Sequence, residues 1–352
     1  MPRIGIAGAG LLGRLLAWRL SRKGLTVDVF DPAPGPGPRF GETGATQHAA
    51  GFTAAGMLSP LAELDCSSPR IAALGWRSID AWRAIVQVLH ARPAFAQRGS
   101  LLLAHRSDTG AAQRVLARLQ AWPERPPQAL SLVQLAELEP SLQGAAHAWL
   151  LPDEGQIDTV QAMLALQAEA AGVTWHWQRS VINMQSGRLT LEDGLTHRFD
   201  LVFDVRGVGA RSALLVRGVR GETVWLQAVS HGLTRPVRLL HPRHRVYIVP
   251  RSPDLVLLGA SEIESEDRSP VSLRSAVELM SAAHSVCPRL AEARIVRLDT
   301  NLRPALPDNE PLLDVQPGIV RINGLFRHGW LLAPALVDDA LAVCKELKEV
   351  AA

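Results

Sequence analysis

The 352-residue sequence contains few cysteines, a single tyrosine and almost no lysine. The three cysteines, Cys66, Cys287 and Cys344, are odd in number and lack the Cys-x-x-Cys spacing of a zinc site or redox pair. We therefore expect neither a disulfide framework nor a metal site. The same cysteine usage fits the reducing conditions of the cytoplasm, which is the predicted location.

Clustered positive charge and long apolar runs are also missing. The formal net charge is +3, lysine occurs only at positions 23, 345 and 348, and the arginines are scattered. A nucleic-acid-binding surface needs a basic patch or stripe, so no nucleic-acid partner is expected. No uncharged apolar run reaches the length of a membrane span. The apolar stretch after Arg3 could be mistaken for a leader, but its glycine pattern explains it better, so no leader is expected.

The composition is that of an ordinary globular protein, with 47% hydrophobic and 20% charged residues. A chain of this length suits two domains that share a sizeable core.

The most informative motif lies near the N-terminus. A short apolar strand ends at Ala7, and the glycines of a G-x-G-x-x-G pattern, Gly8, Gly10 and Gly13, precede a helix and a second strand that ends in Asp31. Gly8 permits a tight turn, Gly10 lets a pyrophosphate approach the backbone, and Gly13 lets the helix pack closely on the strand. The helix N-terminus offers free N–H groups to phosphates, and Asp31 is placed to bind ribose hydroxyls. These features predict a dinucleotide-binding βαβ unit.

Apolar periodicity predicts the other elements. Residues 191–207 are interpreted as a hairpin whose second arm, 201–205, is apolar enough for burial on both faces of a parallel sheet. A Pro/Gly-rich loop is predicted from Pro32 to Gly41. Helices are predicted at 69–89, 111–122, 158–171, 271–285 and at the end of the chain through Leu347; strands are predicted at 173–177, 223–226, 245–249, 255–259, 294–303 and 319–323.

The order of these elements favours a flavoprotein over a nicotinamide dehydrogenase. Pieces of βα type recur near residues 155–215 and 310–350, with a β-rich region between them, whereas a nicotinamide enzyme usually keeps its dinucleotide domain contiguous. We predict an α/β fold (α+β overall) in which a Rossmann-like FAD-binding domain carries an inserted antiparallel β-sheet substrate domain. The predicted FAD-binding domain comprises residues 1–85, 150–215 and 306–352, and the substrate-binding domain comprises 86–149 and 216–305.

Five segments resemble, in the same order, segments of one enzyme family. The segments are Gly8-Ala9-Gly10-Leu11-Leu12-Gly13, Ala54-Ala55-Gly56-Met57-Leu58, Val246-Tyr247-Ile248-Val249-Pro250-Arg251, Asn301-Leu302-Arg303-Pro304 and Gly324-Leu325-Phe326-Arg327-His328-Gly329-Trp330-Leu331-Leu332-Ala333-Pro334. On the basis of these segments the chain resembles, over most of its length, the D-amino-acid oxidase superfamily of FAD-dependent oxidoreductases, and most closely the glycine oxidases of thiamine biosynthesis.

The resemblance implies a set of contacts to non-covalent FAD. Backbone at Leu11 and Leu12 would face the pyrophosphate, Asp31 would bind the adenosine ribose, and the Val181 backbone would bind adenine. The last helix would point at the pyrimidine end, where a helix N-terminus stabilises the negative charge of reduced flavin. The residues expected along the isoalloxazine are Ala55, Gly56 and Met57, with Leu325, Phe326, Arg327, His328, Gly329, Trp330 and Leu331 along its edge.

The resemblance also implies a carboxylate site made by Arg303, Arg327 and Tyr247. A carboxylate suits a planar two-pronged guanidinium, and the family places its carboxylate-binding arginine at Arg303, with Arg327 beside it. Tyr247 would close the pocket with its hydroxyl; strand alternation puts it opposite Val246 and Ile248. The expected reaction is hydride transfer from the Cα of glycine, a small amino acid or a secondary amine to the flavin. No enzyme base is needed, and O₂ would reoxidise the flavin to give H₂O₂.

Several points stay open in the sequence. The alternatives are an amine or D-amino-acid dehydrogenase with a quinone acceptor, a tRNA-modification-type FAD oxidoreductase, and a flavin-holding protein without turnover. The roles of Glu262, His48 and Arg206 are undetermined, and the loop between Asp31 and Gly56 is longer than expected for the family. Covalent attachment of FAD through His48 is the less favoured reading. Glycine oxidases of this type are often tetramers, so a homo-oligomer is possible. For glycine the products would be glyoxylate and ammonia, with the imine feeding thiazole synthesis.

Overall fold

The computed structural model describes residues 2–40, 48–120, 122–240 and 245–350. Its helices are α1 (Leu11–Ser21), α2 (Pro60–Glu63), α3 (Pro69–Val88), α4 (Thr109–Leu119), α5 (Leu132–Leu138), α6 (Thr159–Ala168), α7 (Leu273–Val286) and α8 (Gly329–Val350). Its strands are β1 (Arg3–Ala7), β2 (Thr26–Asp31), β3 (Met57–Leu58), β4 (Phe95–Ala96), β5 (Ser100–Ala104), β6 (Gln128–Leu130), β7 (His147–Leu151), β8 (Gly155–Ile157), β9 (Val173–Trp177), β10 (Val181–Gln185), β11 (Arg188–Leu191), β12 (Thr196–Arg198), β13 (Leu201–Asp204), β14 (Arg217–Gln227), β15 (Val237–Leu240), β16 (Arg245–Ser252), β17 (Leu255–Gly259), β18 (Arg294–Ala305), β19 (Leu312–Gln316) and β20 (Ile319–Asn323).

A six-stranded sheet carries the glycine-rich turn. Its order is β19-β20-β13-β1-β2-β9, and only β19 runs antiparallel to its neighbour. The central strands are buried on both faces, with α1, α3, α6 and α8 contributing to the surrounding core, as expected for a parallel sheet. Because its strands come from three distant stretches of sequence, the sheet is discontinuous in the chain.

The predicted hairpin at 191–207 is only partly correct. Strand β11 pairs antiparallel with β12, which faces it at Leu189 and His197, and with β10 on its other side. The apolar strand β13 instead lies parallel between β1 and β20, where Val202 and Phe203 are fully buried. The hairpin assignment of 201–205 was wrong because those apolar side chains need burial on both faces, which a two-stranded arm does not provide. The prediction of a buried parallel strand is confirmed.

An eight-stranded sheet forms the second layer. Its order is β18-β14-β17-β16-β15-β5-β7-β6, and β5 with β15 is its one parallel pair in the described part of the chain. One face packs on α7 through a core that includes Val246 and Ile248. The opposite face carries Tyr247 beside a small cluster that includes Ala55 and Trp225. The alternation predicted for Tyr247 is therefore confirmed, and its face is the one that lines the main cavity.

Most predicted helices agree with the structure to within three residues. The helix predicted at 111–122 is α4, which starts at Thr109 and ends at Leu119. Helices α3 and α8 pack through Trp82 and Trp330, whose rings stack 5.2 Å apart, and the Trp82 indole donates a 2.8 Å hydrogen bond to the Trp330 carbonyl. This packing fixes the start of α8 beside the cavity.

The remaining global predictions concern loops and absences. Residues 32–40 contain no helix or strand, and the rest of the predicted loop, at Gly41, lies outside the described residues, as do residues 42–47. Within the described ranges, no helix is long and apolar enough to span a membrane and no cluster of potential metal ligands occurs. The boundaries of the two domains remain a prediction.

Candidate active site

A cavity of about 1210 Å³ lies between the two large sheets. Its walls include all the predicted cofactor and substrate residues except Gly13. These lining residues are Gly8, Gly10, Leu11, Leu12, Asp31, Ala55, Gly56, Met57, Val181, Tyr247, Arg303, Leu325, Phe326, Arg327, His328, Gly329, Trp330 and Leu331.

The glycine-rich turn at one end of the cavity is held by the backbone and by Asp31. Gly8 has a positive φ of 106°, and its N–H donates to the Phe30 carbonyl at 2.8 Å. A Cβ on Gly13 would collide with the Gly8 carbonyl oxygen, which explains the close packing of α1 on the turn. The Asp31 carboxylate accepts hydrogen bonds from the N–H of Ala9 at 2.6 Å and of Ala33 at 2.8 Å. Carboxylate oxygens have further lone pairs, so Asp31 can brace the turn and still accept from a ribose.

The N-terminus of α1 fits a phosphate. Its N-cap is Gly10, no side chain of the described residues caps it, and its first turn contains no acid. The first N–H groups of a helix have no partner within the helix and attract anions. The turn therefore provides both the space and the donors that a pyrophosphate requires.

Arg206, whose role the sequence left open, forms structural hydrogen bonds at this end of the cavity. Its guanidinium makes two hydrogen bonds with the buried Asp204 carboxylate, at 2.9 and 2.7 Å, and a third with the Val181 carbonyl at 2.7 Å. The side chain thus ties the start of β10 to the end of β13. The Val181 carbonyl, predicted to be near adenine, is accordingly held in a fixed position.

The flavin-side loop at Ala55 and Gly56 is anchored by Arg251. The Arg251 guanidinium donates to the Ile157 carbonyl at 2.8 Å and also to the Ala55 carbonyl. Burial lowers the pKa of Arg251 to about 10. Arg251 belongs to one of the segments that resemble the family, but its anchoring role was not predicted. The position of a residue in a strand does not indicate which distant carbonyl its side chain contacts.

The opposite edge of the cavity is the turn that leads into α8. Phe326 has a φ of 48°, which is rare for a residue with a side chain and typical of strained functional turns. The Trp330 indole donates to the Gly51 carbonyl at 3.0 Å, which joins this turn to the loop before Gly56. No acidic residue lies in the first turn of α8. This helix N-terminus is thus free to stabilise negative charge.

Tyr247 and Arg303 share one wall of the cavity. The missing side chain of Gly259 leaves room for the Tyr247 ring, and that of Gly221 leaves room for the Arg303 guanidinium. Arg303 donates to the Ser261 carbonyl at 3.0 Å. None of the described carboxylates forms an ion pair with it. Burial lowers the pKa of Arg303, since the charge is desolvated without a paired anion. Burial raises the pKa of Tyr247, so its phenol stays protonated and can donate.

Arg327 differs from Arg303 because it is already paired. Its Nε lies 3.1 Å from Glu63 and its Nη1 donates to Glu262 at 3.2 Å. Glu63 also pairs with Arg238 and lies 3.2 Å from Nδ1 of His328. Burial alone would lower the pKa of Arg327, but the negative charge of Glu63 raises it, and the resulting pKa lies above the usual value for arginine. Glu262, left open by the sequence, is thus a partner of Arg327.

Glu63 and Arg238 were missed by sequence reasoning. Glu63 follows the flavin-side segment by only a few residues and ends an otherwise apolar run, Pro60–Glu63, whose four residues are all buried. A charged residue in such an apolar run was the feature of the sequence that could have indicated its role. Arg238 sits opposite Tyr247 in the strand register, a fact that requires the fold.

His48 lines the cavity next to these elements. Both of its ring nitrogens are buried and lack a hydrogen-bond partner among the described residues, while its carbonyl accepts from Asn301 at 3.1 Å. Burial, together with Arg297 and Arg268, lowers the pKa of His48, which favours the neutral ring. Residues 45–47, which directly precede His48 in the sequence, lie outside the described residues.

Comparison with known proteins decides the family. A family model described as FAD dependent oxidoreductase matches residues 3–338. The chain belongs to this family. Its fold and its FAD-dependent oxidoreductase class, both predicted from sequence, are confirmed.

Similar proteins in this family narrow the type of enzyme. The chain is 36% identical over 344 residues to the "Putative thiamine biosynthesis oxidoreductase ThiO" of Rhizobium etli, covering 96% of this chain and 94% of that protein. It is 27% identical over 375 residues to the glycine oxidase of Geobacillus kaustophilus, covering 99% and 94%. The crystal structure of that glycine oxidase matches with a TM-score of 0.81 at 26% identity, covering 96% and 93%. The protein is therefore an FAD-dependent oxidoreductase of the glycine oxidase and ThiO type, as predicted.

Proposed function

We propose that this member of the family oxidises glycine or a similarly small amino acid or secondary amine to its imine. The observation that carries the proposal is the Arg303 guanidinium, which lines the cavity together with Tyr247 and forms no ion pair with any carboxylate that the structure describes. A guanidinium that is buried without an anion is a ready partner for a ligand carboxylate. The name of the Geobacillus kaustophilus relative, glycine oxidase, points to the same chemistry, and the name of the Rhizobium etli relative gives the broader class of an oxidoreductase.

The residues of the wall orient the substrate. Arg303 would take the carboxylate through two parallel N–H donors, and the Tyr247 hydroxyl would donate a further hydrogen bond. With the carboxylate fixed there, the adjacent Cα–H is directed toward the Ala55 to Met57 side of the cavity. Holding the reacting carbon in place is the main contribution that these side chains make to the rate.

Bound FAD supplies the redox chemistry by accepting a hydride from the substrate Cα. The substrate amine must be neutral when the hydride leaves Cα. Oxidation at Cα gives the imine, which water then hydrolyses. Since this scheme needs no protein base, it fits a wall built of arginine and tyrosine. The N-terminus of α8 would stabilise negative charge at the pyrimidine end of the cofactor.

Oxygen is the proposed electron acceptor, which makes H₂O₂ the expected second product. Purified holoenzyme should consume O₂ with glycine and release H₂O₂, glyoxylate and ammonia. Activity with a quinone or dye but negligible H₂O₂ would instead assign a dehydrogenase. Absence of turnover with every acceptor, despite amino-acid binding, would favour a flavin-holding protein or a tRNA-modification-type enzyme. Delivery of the imine to thiazole synthesis is part of the same proposal.

The proposed FAD is non-covalent. His48 keeps a neutral ring beside the cavity, but Ala55, Gly56 and Met57 form the segment similar to the family's flavin contacts. Acid precipitation should release all the yellow colour into the supernatant, and colour retained in the pellet would contradict the proposal. A cytoplasmic location, a homo-oligomer and the boundaries of the two domains belong to the same set of proposals.

A further inference from the structure

Three arginines, Arg238, Arg303 and Arg327, line the cavity near Tyr247, and they are not equivalent. Arg238 and Arg327 both pair with Glu63, whose residue surface is 6% exposed. Arg303 pairs with none of the carboxylates described. Of these three arginines, Arg303 is the one that has no direct ion pair with a carboxylate in the described part of the chain.

We propose that Glu63 restricts this enzyme to amines that carry a single carboxylate, because it occupies the two arginines that would otherwise bind a second one. This inference rests on the proposed amine oxidation and names the substrate class of that site. Glu63 acts through Arg238 and Arg327, so it is a specificity-determining residue and not a catalytic one.

The position of Glu63 explains why it can hold this role. It ends the four-residue helix α2, which directly follows the flavin-side strand β3. Ala62, the residue before it, donates its N–H to the fully buried Glu154 at 2.9 Å, which fixes the end of the helix. His328 bridges from Ser67, 3.1 Å from its Nε2, to Glu63, 3.2 Å from its Nδ1. Glu63 thus cannot easily swing away from the arginines.

A second carboxylate would meet two obstacles at this place. To bind Arg327, a second substrate carboxylate would have to displace Glu63 or Glu262. It would also lie close to the negative charge of Glu63, which is buried and therefore poorly solvated. Two like charges at close range, away from water, repel each other strongly. Glu262 is 46% exposed on its side chain, so its charge is better screened and its contribution is smaller.

The matched substrates are sarcosine and iminodiacetate, which are both secondary amines and differ by one carboxylate. For the wild-type holoenzyme we expect kcat/KM for iminodiacetate to be at least about tenfold below that for sarcosine, since like-charge contacts cost more than 1.4 kcal/mol. Glu63→Gln keeps the shape of the side chain and removes its charge. Glu63→Gln should reduce the ratio of kcat/KM for sarcosine to kcat/KM for iminodiacetate at least tenfold, whereas Glu63→Asp should leave this ratio at its wild-type value.

Binding provides a readout that does not depend on turnover. The flavin absorbance change on titration with acetate and malonate gives a Kd for one and for two carboxylates. Wild type should prefer acetate, and Glu63→Gln should shift the preference toward malonate. Glu139→Gln is the control, because Glu139 is equally buried and paired with Arg235 but lies outside the cavity. It should leave both ratios unchanged.

The inference is overturned if wild type accepts both ligand pairs equally, or if Glu63→Gln folds, binds FAD and leaves both ratios unchanged. If Glu63→Gln does not fold, the wild-type preference and the Glu63→Asp result decide the question. Failure of every amine to reduce the flavin would instead contradict the proposed function, and the acetate and malonate affinities would still test the role of Glu63.

Discussion

At the scale of single residues, the partner of each charge matters more than its position in the sequence. Arg303 and Arg327 both belong to segments that resemble the family, and the resemblance implies that Arg303 binds the carboxylate with Arg327 beside it. Among the residues that the structure describes, Arg327 pairs with Glu63 and Glu262, whereas Arg303 donates hydrogen bonds only to the Arg220 and Ser261 carbonyls. These contacts connect residues more than 40 positions apart, so no local pattern could have revealed them.

Arg303→Lys should weaken the binding of glycine without loss of FAD. Lysine keeps the charge but loses the two-pronged geometry, and loss of a charged hydrogen bond costs about 1.5–3 kcal/mol, or roughly 10- to 150-fold in KM. Steady-state kinetics and the ratio of flavin to protein absorbance measure the two effects. Arg83→Lys, at an exposed arginine of α3 that pairs with Asp80, is the control. A KM for glycine that stays at the wild-type value would remove Arg303 from the carboxylate site.

At the scale of elements, the glycine-rich turn and its helix could be predicted almost completely. Gly8 and Gly13 occupy the positions that the pattern requires, because one needs a positive φ and the other has no room for a Cβ. The predicted hairpin at 191–207 was wrong in its second arm, because residues 201–204 form a strand of a different sheet. Strand pairing over long distances is set by the whole core, and local turns do not determine it.

Gly13→Ala should prevent stable FAD binding. Its Cβ would collide with the Gly8 carbonyl, so α1 would have to move away from the turn that would hold the pyrophosphate. The measurement is the flavin content of the purified protein together with its melting temperature. Gly110→Ala, at a position in α4 where a Cβ meets only the end of Arg114 at 3.7 Å, should retain full flavin content. Normal FAD occupancy in Gly13→Ala would contradict the account of this turn.

Glu154, which braces α2, should make the protein less stable as the pH rises toward and beyond neutrality. Burial raises its pKa from 4.5 to about 7, although hydrogen bonds with Ser100 and Ala62 oppose the rise. Between those two values the folded state binds more protons than the unfolded chain, so the free energy of unfolding falls as pH increases. The full effect is at most about 3 kcal/mol.

Glu154→Gln tests this prediction, since it fixes the neutral form. The variant and wild type should melt at similar temperatures at pH 5, and the variant should melt higher at pH 8. The exposed Glu137 provides the control substitution, Glu137→Gln, which should behave like wild type at both pH values. An equal difference in melting temperature at pH 5 and pH 8 for Glu154→Gln would show that its protonation does not change on folding.

At the scale of the whole molecule, the sequence predicted the class of fold, the cofactor and many of the residues that line the cavity, but not the contacts that hold those residues in place. The parallel sheet, the antiparallel region and their interleaving follow from apolar runs and alternation. The position of Arg238 opposite Tyr247 depends on the pairing of β15 with β16, and the contact of Arg251 with the Ala55 carbonyl depends on how β16 packs against the loop before β3. Such contacts arise only when distant segments are brought together by the complete fold.

The central claim is that the cavity holds a small amino acid by its carboxylate so that it reduces bound FAD. Anaerobic titration of the holoenzyme, followed in the visible flavin absorbance, tests this claim most directly. Glycine or sarcosine should bleach the flavin, and methylamine, which lacks the carboxylate, should not do so at the same concentration. If no small amino acid bleaches a flavin that dithionite reduces fully, or if methylamine reduces it as well as glycine, the account is wrong.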